Sequence, residues 1–292
     1  MSRLGGETIS NTSVATNIHR ATNATTDTQV IAMWLSDKSK TSIKTYAINV
    51  KQFLDFVNLP LQELTIDDIF LYRSSLIQRG YKPQTICSKI MGVKSLLTFA
   101  HKIGYINFNV GAIVKGMKDK DNLNEKIITF EDVKRLFSVI DNPQHRILFR
   151  TIINTGLRIT ELCRLKWTDL RDNLLTVQGK GERTRVLTLH EDLLRDILWL
   201  YRPYNIYIFT SLRGNSLSRS NVHGYLKRYL KKAGLNEDIS CHWLRHTFAS
   251  TALANGADLL LVSKSLGHSN ISTTSRYLHT IKTECATDYV DF

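Results

Sequence analysis

Residues 240–279 read SCHWLRHTFASTALANGADLLLVSKSLGHSNISTTSRYLH, and the rest of the chain is read outward from them. Three helices are expected here, at about 242–255, 258–266 and 271–279, with Gly267 letting the chain turn sharply before His268. His242 and Arg245 stand as His-x-x-Arg, and Tyr277 follows His268 by nine residues on a short polar segment, Ser272 to Ser275. His242 and His246 have the i, i+4 spacing of a metal-binding pair. No third ligand accompanies them, no glutamate lies between them, and Arg245 would repel a cation, so no metal site is assigned. His246 is read as a structural residue on the buried side of its helix.

Upstream lie Thr155-Gly156-Leu157-Arg158 with Glu161-Leu162, and Gly179-Lys180-Gly181-Glu182. The second segment is flanked by two β-rich runs, Leu174–Val177 and Arg185–Leu189, which predicts a hairpin with Lys180 on its turn. Tyr207–Phe209 is read as a third strand. Glu161 is three residues beyond Arg158; it either orients a neighbouring arginine or histidine or is a solvated carboxylate.

These residue types suit one chemistry. A phosphodiester is an anion with poor leaving groups, so cutting it without a metal needs positive charge at the non-bridging oxygens, a nucleophile and an acid. Arg158 and Arg245 suit the first task, because a guanidinium donates two parallel hydrogen bonds and stays protonated. Histidine can donate to a phosphate oxygen in any protonation state, which admits His242 and His268. A tyrosine such as Tyr277, with an ordinary pKa of about 10, needs local positive charge to act as the nucleophile.

In order and local context the segments carrying Arg158, Lys180, His242, Arg245, His268 and Tyr277 resemble the tyrosine recombinase (phage integrase) family, its Xer-like members in particular. The resemblance runs from about Ile31 to His279. It implies that Tyr277 is the nucleophile, His242 the histidine of His-x-x-Arg, and Lys180 the acid that protonates the leaving 5′ oxygen. Arg183 and Arg185, on the same hairpin, are assigned to the DNA backbone. No cofactor is implied.

The N-terminal half reads as helical. Residues 1–26, rich in Thr, Asn, Ser and Ala, cannot bury enough surface to offset ordering entropy and are expected to be a disordered tail. In 41–58, Ile43, Tyr46, Ala47, Val50, Phe53, Leu54 and Val57 recur at helical spacing. Thr65 with Asp67-Asp68 opens a second helix that stops at Arg79-Gly80, and Pro83 opens a third, faced by Ile86, Ile90, Val93, Leu97 and Ala100. Residues 27–115 thus form a helical domain, which the resemblance makes a core-binding (SAM-like) DNA-binding domain. The charged run 116–126 is the expected linker, and Thr129-x-x-Asp132 opens the catalytic domain, 127–292. The fold class is therefore mainly α with a small sheet (α+β), and the resemblance adds a C-shaped clamp on DNA.

Composition agrees. The net charge of +13 over 292 residues points to a polyanionic partner. No apolar run reaches the roughly 18 residues of a membrane span, and the N-terminus lacks the apolar core of a signal peptide, so a cytoplasmic protein is expected, placed with the nucleoid by the DNA partner. Cys87, Cys163, Cys241 and Cys285 are scattered, as reduced thiols would be. The resemblance implies a site-specific recombinase acting as a homotetramer on two double-stranded DNA sites, through a Holliday junction and without ATP. Accessory DNA-binding proteins or a second recombinase are possible partners. The alternatives are a type IB topoisomerase-like nicking-closing enzyme and a catalytically silent DNA-binding regulator.

Overall fold

The structure, a computed structural model, describes residues 21–115, 123–179 and 183–278. The chain folds as two units, Met1–Lys120 and Asp121–Phe292.

The first unit is all helix: α1 (Asp27–Ser36), α2 (Lys40–Val57), α3 (Ile66–Gln78), α4 (Pro83–Lys102) and α5 (Val110–Ile113). Proline at the first position of α4 costs nothing, because that N–H has no partner within the helix. α4 packs against each of the other four helices and buries Ile86, Ile90, Val93, Leu96, Leu97 and Ala100 along one side. α3 begins with the Asp68 carboxylate accepting from the N–H and the hydroxyl of Thr65, at 2.8 Å each, and ends at Gly80, where φ is +73°. The disordered tail assigned by composition extends too far. Residues 1–20 lie outside the described ones, but Ala24 is buried, the Ala21 N–H donates to the Ile103 carbonyl (3.0 Å), and Thr26 caps α1. Asp27 then accepts from the Leu61 N–H and the Tyr105 hydroxyl, at 2.9 and 2.8 Å, which ties this segment to two distant parts of the unit. Short polar residues act here through caps, a role that counting apolar residues does not see.

The second unit contains α6 (Phe130–Ser138), α7 (Pro143–Thr155), α8 (Ile159–Leu162), a three-stranded antiparallel sheet, then α9 (Glu191–Trp199), α10 (Arg219–Ala233), α11 (Cys241–Ala254), α12 (Leu259–Leu266) and α13 (Ser272–Ser275). Its main core surrounds α7, whose Leu148, Phe149 and Ile152 are fully buried. The strands are β1 (Leu170–Arg171), β2 (Leu174–Gln178) and β3 (Thr184–Thr188), in that order. β2 and β3 flank the segment carrying Lys180, which lies outside the described residues. The third strand is thus Leu170–Arg171 and not Tyr207–Phe209, of which only Tyr207 makes a single bridge, to Lys166. Ile208 and Phe209 are buried as core residues, so their β-branched and aromatic character reflects burial rather than pairing.

The expected linker also ends sooner than its charge suggests. Leu123 is buried in a satellite core with Ala249, Leu253, Val262, Leu266 and Tyr277, and Asn124–Lys126 form a 3₁₀ turn. Among the described residues no helix is long and apolar enough to cross a membrane.

Candidate active site

The C-terminal end of α12 organises the site. Its last carbonyls have no partner within the helix and carry the negative end of its dipole. Arginines take three successive ones. Arg185 Nε donates to Ser265 O (2.7 Å), Arg245 Nη2 to Leu266 O (2.7 Å), and Arg158 to Leu266 O and Gly267 O (3.3 and 3.2 Å). Gly267 adopts φ +65°, and a Cβ there would lie 2.9 Å from Arg185 Nη1. The glycine is required both by the left-handed turn and by the guanidinium packed over it.

Arg245 is the most deeply held of the three, at 1% exposure. α11 carries it to α7, where Nη1 donates to the Gly156 carbonyl at 2.7 Å. Gly156 ends α7 at φ +64°, and a Cβ there would be 2.5 Å from Phe248. Burial, and then the charge of Arg158, lower the Arg245 pKa to about 9, which leaves it a cation at neutral pH.

Glu161 is the single carboxylate bonded to this group among the described residues. It is 7% exposed and accepts from the Arg158 N–H (2.8 Å), Arg158 Nη1 (2.9 Å), and Arg185 Nη1 and Nη2 (3.1 and 2.8 Å). Burial alone would raise its pKa, but the hydrogen bonds from Arg185 and Arg158 outweigh it and hold the carboxyl below its usual range. Of the two readings of Glu161, the solvated carboxylate is thereby dismissed. Three guanidinium groups against one carboxylate leave the site positive.

Arg185 is not the exposed hairpin cation that its sequence position suggests. Its side chain is 12% exposed and engaged by Glu161 and Ser265, so it serves as an internal strut. Alternation along β3 gives the reason: Arg185 is two residues from buried Leu187, on the same face, whereas Val186 between them is exposed. Arg183 is exposed and joins Arg158, Arg185, Gly267 and His268 around a cavity of about 600 Å³. A second cavity of about 860 Å³, on which Arg158 also borders, is lined by Thr160, Arg219, His223 and His242. Arg219 and His223 escaped the sequence reading; their only signal was a basic, polar start to α10.

The aromatic groups complete the site. His268 Nδ1 lies 2.7 Å from the hydroxyl of buried Thr274, and a hydroxyl donating to Nδ1 leaves Nε2 as the donor of the ring. Burial, then Arg245 and Arg158, bring the His268 pKa down to about 4, so the ring is neutral at pH 7. His242 is exposed but also shifted downward, by desolvation and then by Arg245, Arg158 and Lys126. Tyr277 follows α13 directly, is 2% exposed, and belongs to the satellite core. Burial raises its pKa while Arg245 and Arg276 oppose that rise.

The Tyr277 hydroxyl lies 2.5 Å from Nδ1 of His246. His246, read from its helix position as a structural residue, thus also meets the Tyr277 hydroxyl. It was legible as a face: three and seven residues on, Ala249 and Leu253 are buried in the core that contains Tyr277. The thiols of Cys163 and Cys241 are buried, with pKa values raised to about 11 and 12, and are packing groups.

The phage integrase family model matches residues 126–284, more than half of the chain. The chain belongs to the phage integrase family. A second model, the SAM-like N-terminal domain of phage integrases, matches residues 29–101 of this family member. The tyrosine recombinase XerA of Pyrococcus horikoshii is 31% identical, over 83% of this chain and 84% of its own length. XerD of Listeria monocytogenes is 30% identical, over 87% and 93%. In fold, the integrase resembles a lambda integrase dimer bound to a core site, with a TM-score of 0.73 at 20% identity over 86% of this chain and 94% of that one.

Proposed function

We propose that this integrase is a site-specific DNA recombinase that cuts and rejoins strands through a 3′-phosphotyrosine on Tyr277. The observation that carries the reading is the convergence of Arg158 and Arg245 on the last carbonyls of α12, beside the Tyr277–His246 pair. A phosphodiester entering there meets cations fixed in advance by helix ends and by Glu161, which is how developing charge is stabilised without reorganisation. Arg158 and Arg245 hold the non-bridging oxygens, and neutral His268 donates to one of them from Nε2. His242, at the exposed edge beside Arg158, contributes a further donor.

Tyr277 attacks phosphorus, the P–O5′ bond breaks, and Lys180 gives a proton to the leaving oxygen. The hydroxyl of a partner strand later attacks the phosphotyrosine and reseals the backbone. The bond energy is kept in the covalent link, so ATP is not needed. Glu161 positions Arg158, Arg185 braces the hairpin against α12, and Arg183 contacts the DNA backbone.

The partner is double-stranded DNA, in keeping with the +13 charge. The Xer names of the relatives support strand exchange over simple nicking and closing, and hence a homotetramer on two sites working through a Holliday junction. Accessory DNA-binding proteins or a second recombinase join where the site requires them.

Tyr277→Phe tests the reading. It should abolish the covalent protein–DNA adduct and leave DNA binding nearly unchanged, and peptide mapping of a wild-type adduct should find DNA on Tyr277. An adduct surviving in Tyr277→Phe, or mapped to Tyr289, refutes it.

A further inference from the structure

Tyr277 cannot attack as a phenol and keep its proton, and Lys180 is already assigned to protonate the leaving oxygen. Something must take the proton from Oη. Among the described residues, the ring nitrogen bonded to that oxygen is Nδ1 of His246, at 2.5 Å, with the ring centroids 5.6 Å apart and inclined by 49°. The His246 ring is held in turn by an edge contact with His242 at 4.4 Å.

We propose that His246 is the proton acceptor for the Tyr277 nucleophile and that the arriving phosphodiester switches it on. This rests on the reading of Tyr277 given above. As Oη bonds to phosphorus, the Oη–H bond breaks and its proton passes to Nδ1, giving an imidazolium. The P–O5′ bond breaks opposite, and O5′ takes its proton from Lys180. In resealing, the imidazolium returns its proton to the departing phenol oxygen, so no net proton is consumed at this residue.

The surroundings of His246 explain the switch. Desolvation comes first in weakening the ring as a base, followed by His242, Arg245, Lys126 and Arg276, and together they bring its pKa to about 3. Tyr277, the remaining titratable group in contact, stays protonated. A neutral imidazole beside a neutral phenol is a resting pair, with Oη–H donating to Nδ1. A phosphodiester bound to Arg158 and Arg245 brings one negative charge into this cationic group. That offsets the charges depressing His246 and raises its basicity when the target phosphorus is in place. Without DNA the tyrosine keeps its proton and does not react with stray electrophiles.

The test uses the full chain and a nicked duplex whose sequence is taken from the DNA that the wild-type protein traps. A sulfur replaces the bridging 5′ oxygen, so that the leaving group needs no acid and pH dependence reports the base. Single-turnover adduct formation is followed from pH 6 to 9. Wild type should be nearly flat above pH 7. In His246→Asn, which keeps a polar atom near the Nδ1 position but cannot accept the proton, the rate should fall by about 10² at pH 7, the usual contribution of a positioned base. It should then climb about tenfold per pH unit and approach wild type near pH 9. That recovery, with unchanged affinity for the duplex, shows that the variant is folded.

If His246→Asn keeps the wild-type rate and profile, the 2.5 Å contact is incidental and the proposal fails. It fails equally if the rate drops with a profile parallel to wild type, because His246 then only positions the hydroxyl. If wild type traps no DNA on Tyr277, the reading of the site fails, and the proposal with it.

Discussion

Glu161→Gln removes one charge from the centre of the site and leaves the shape of the side chain nearly intact. The carboxylate accepts four hydrogen bonds, two from Arg185 and two from Arg158. The Arg185 side chain is 12% exposed, and removing the partner of a buried ion costs about 3–5 kcal/mol. The Arg158 side chain is 35% exposed, so its ion pair is screened and contributes only about 0–1 kcal/mol. The glutamine carbonyl can still accept from one donor and recovers about 1 kcal/mol. The expected loss is therefore about 3 kcal/mol, or about 6–12 °C in Tm for a unit of this size.

Urea unfolding followed by tryptophan fluorescence measures it, since Trp167, Trp199 and Trp243 all lie in the second unit. The pH dependence has a definite sign. The folded carboxyl sits below its ordinary range, so its contribution is complete above the unfolded value of about 4.3 and disappears only as pH falls through the lower folded value. The gap between wild type and Glu161→Gln should thus be constant from pH 8 to 5. Cleavage should slow as well, by about 10² if Arg158 moves by an ångström. A variant within 0.5 kcal/mol of wild type, with unchanged cleavage, would mean that Glu161 does not hold the arginines.

Two further outcomes are expected. Gly156→Ala forces a side chain into φ +64° and against Phe248 and Leu266, and should destabilise by about 2–4 kcal/mol in the same urea assay, where a loss under 1 kcal/mol would contradict the packing. His246 and His268 are neutral when folded, with pKa values of about 3 and 4, whereas in the unfolded chain they titrate near the ordinary value of about 6.5. Below that value the unfolded state binds more protons, so the stability these rings contribute is complete above pH ~6.5 and lost as pH falls toward 4. Equal urea midpoints at pH 7 and pH 5 would refute this.

The sequence by itself determined the fold class, the helices with strong periodicity or clear caps, and the family. Each of these rests on information local to a few residues: the apolar side of α4, the Thr65–Asp68 cap, Gly267 beside His268. It also singled out Arg158, Arg245, His268 and Tyr277, which the fold gathers around the end of α12 from segments up to 119 residues apart in number, Arg158 to Tyr277. Only the tertiary structure decided what each polar group meets. Arg183 and Arg185 look alike on one hairpin, yet one is exposed and the other is locked to Glu161, because Arg185 lies within β3, where its guanidinium reaches Ser265 O at the end of α12, whereas Arg183 precedes the strand. His246 looked like packing until the segment after α13 brought the Tyr277 hydroxyl to its ring. Periodicity says which way a side chain faces; what waits there depends on where a distant segment comes to rest, and no local pattern encodes that.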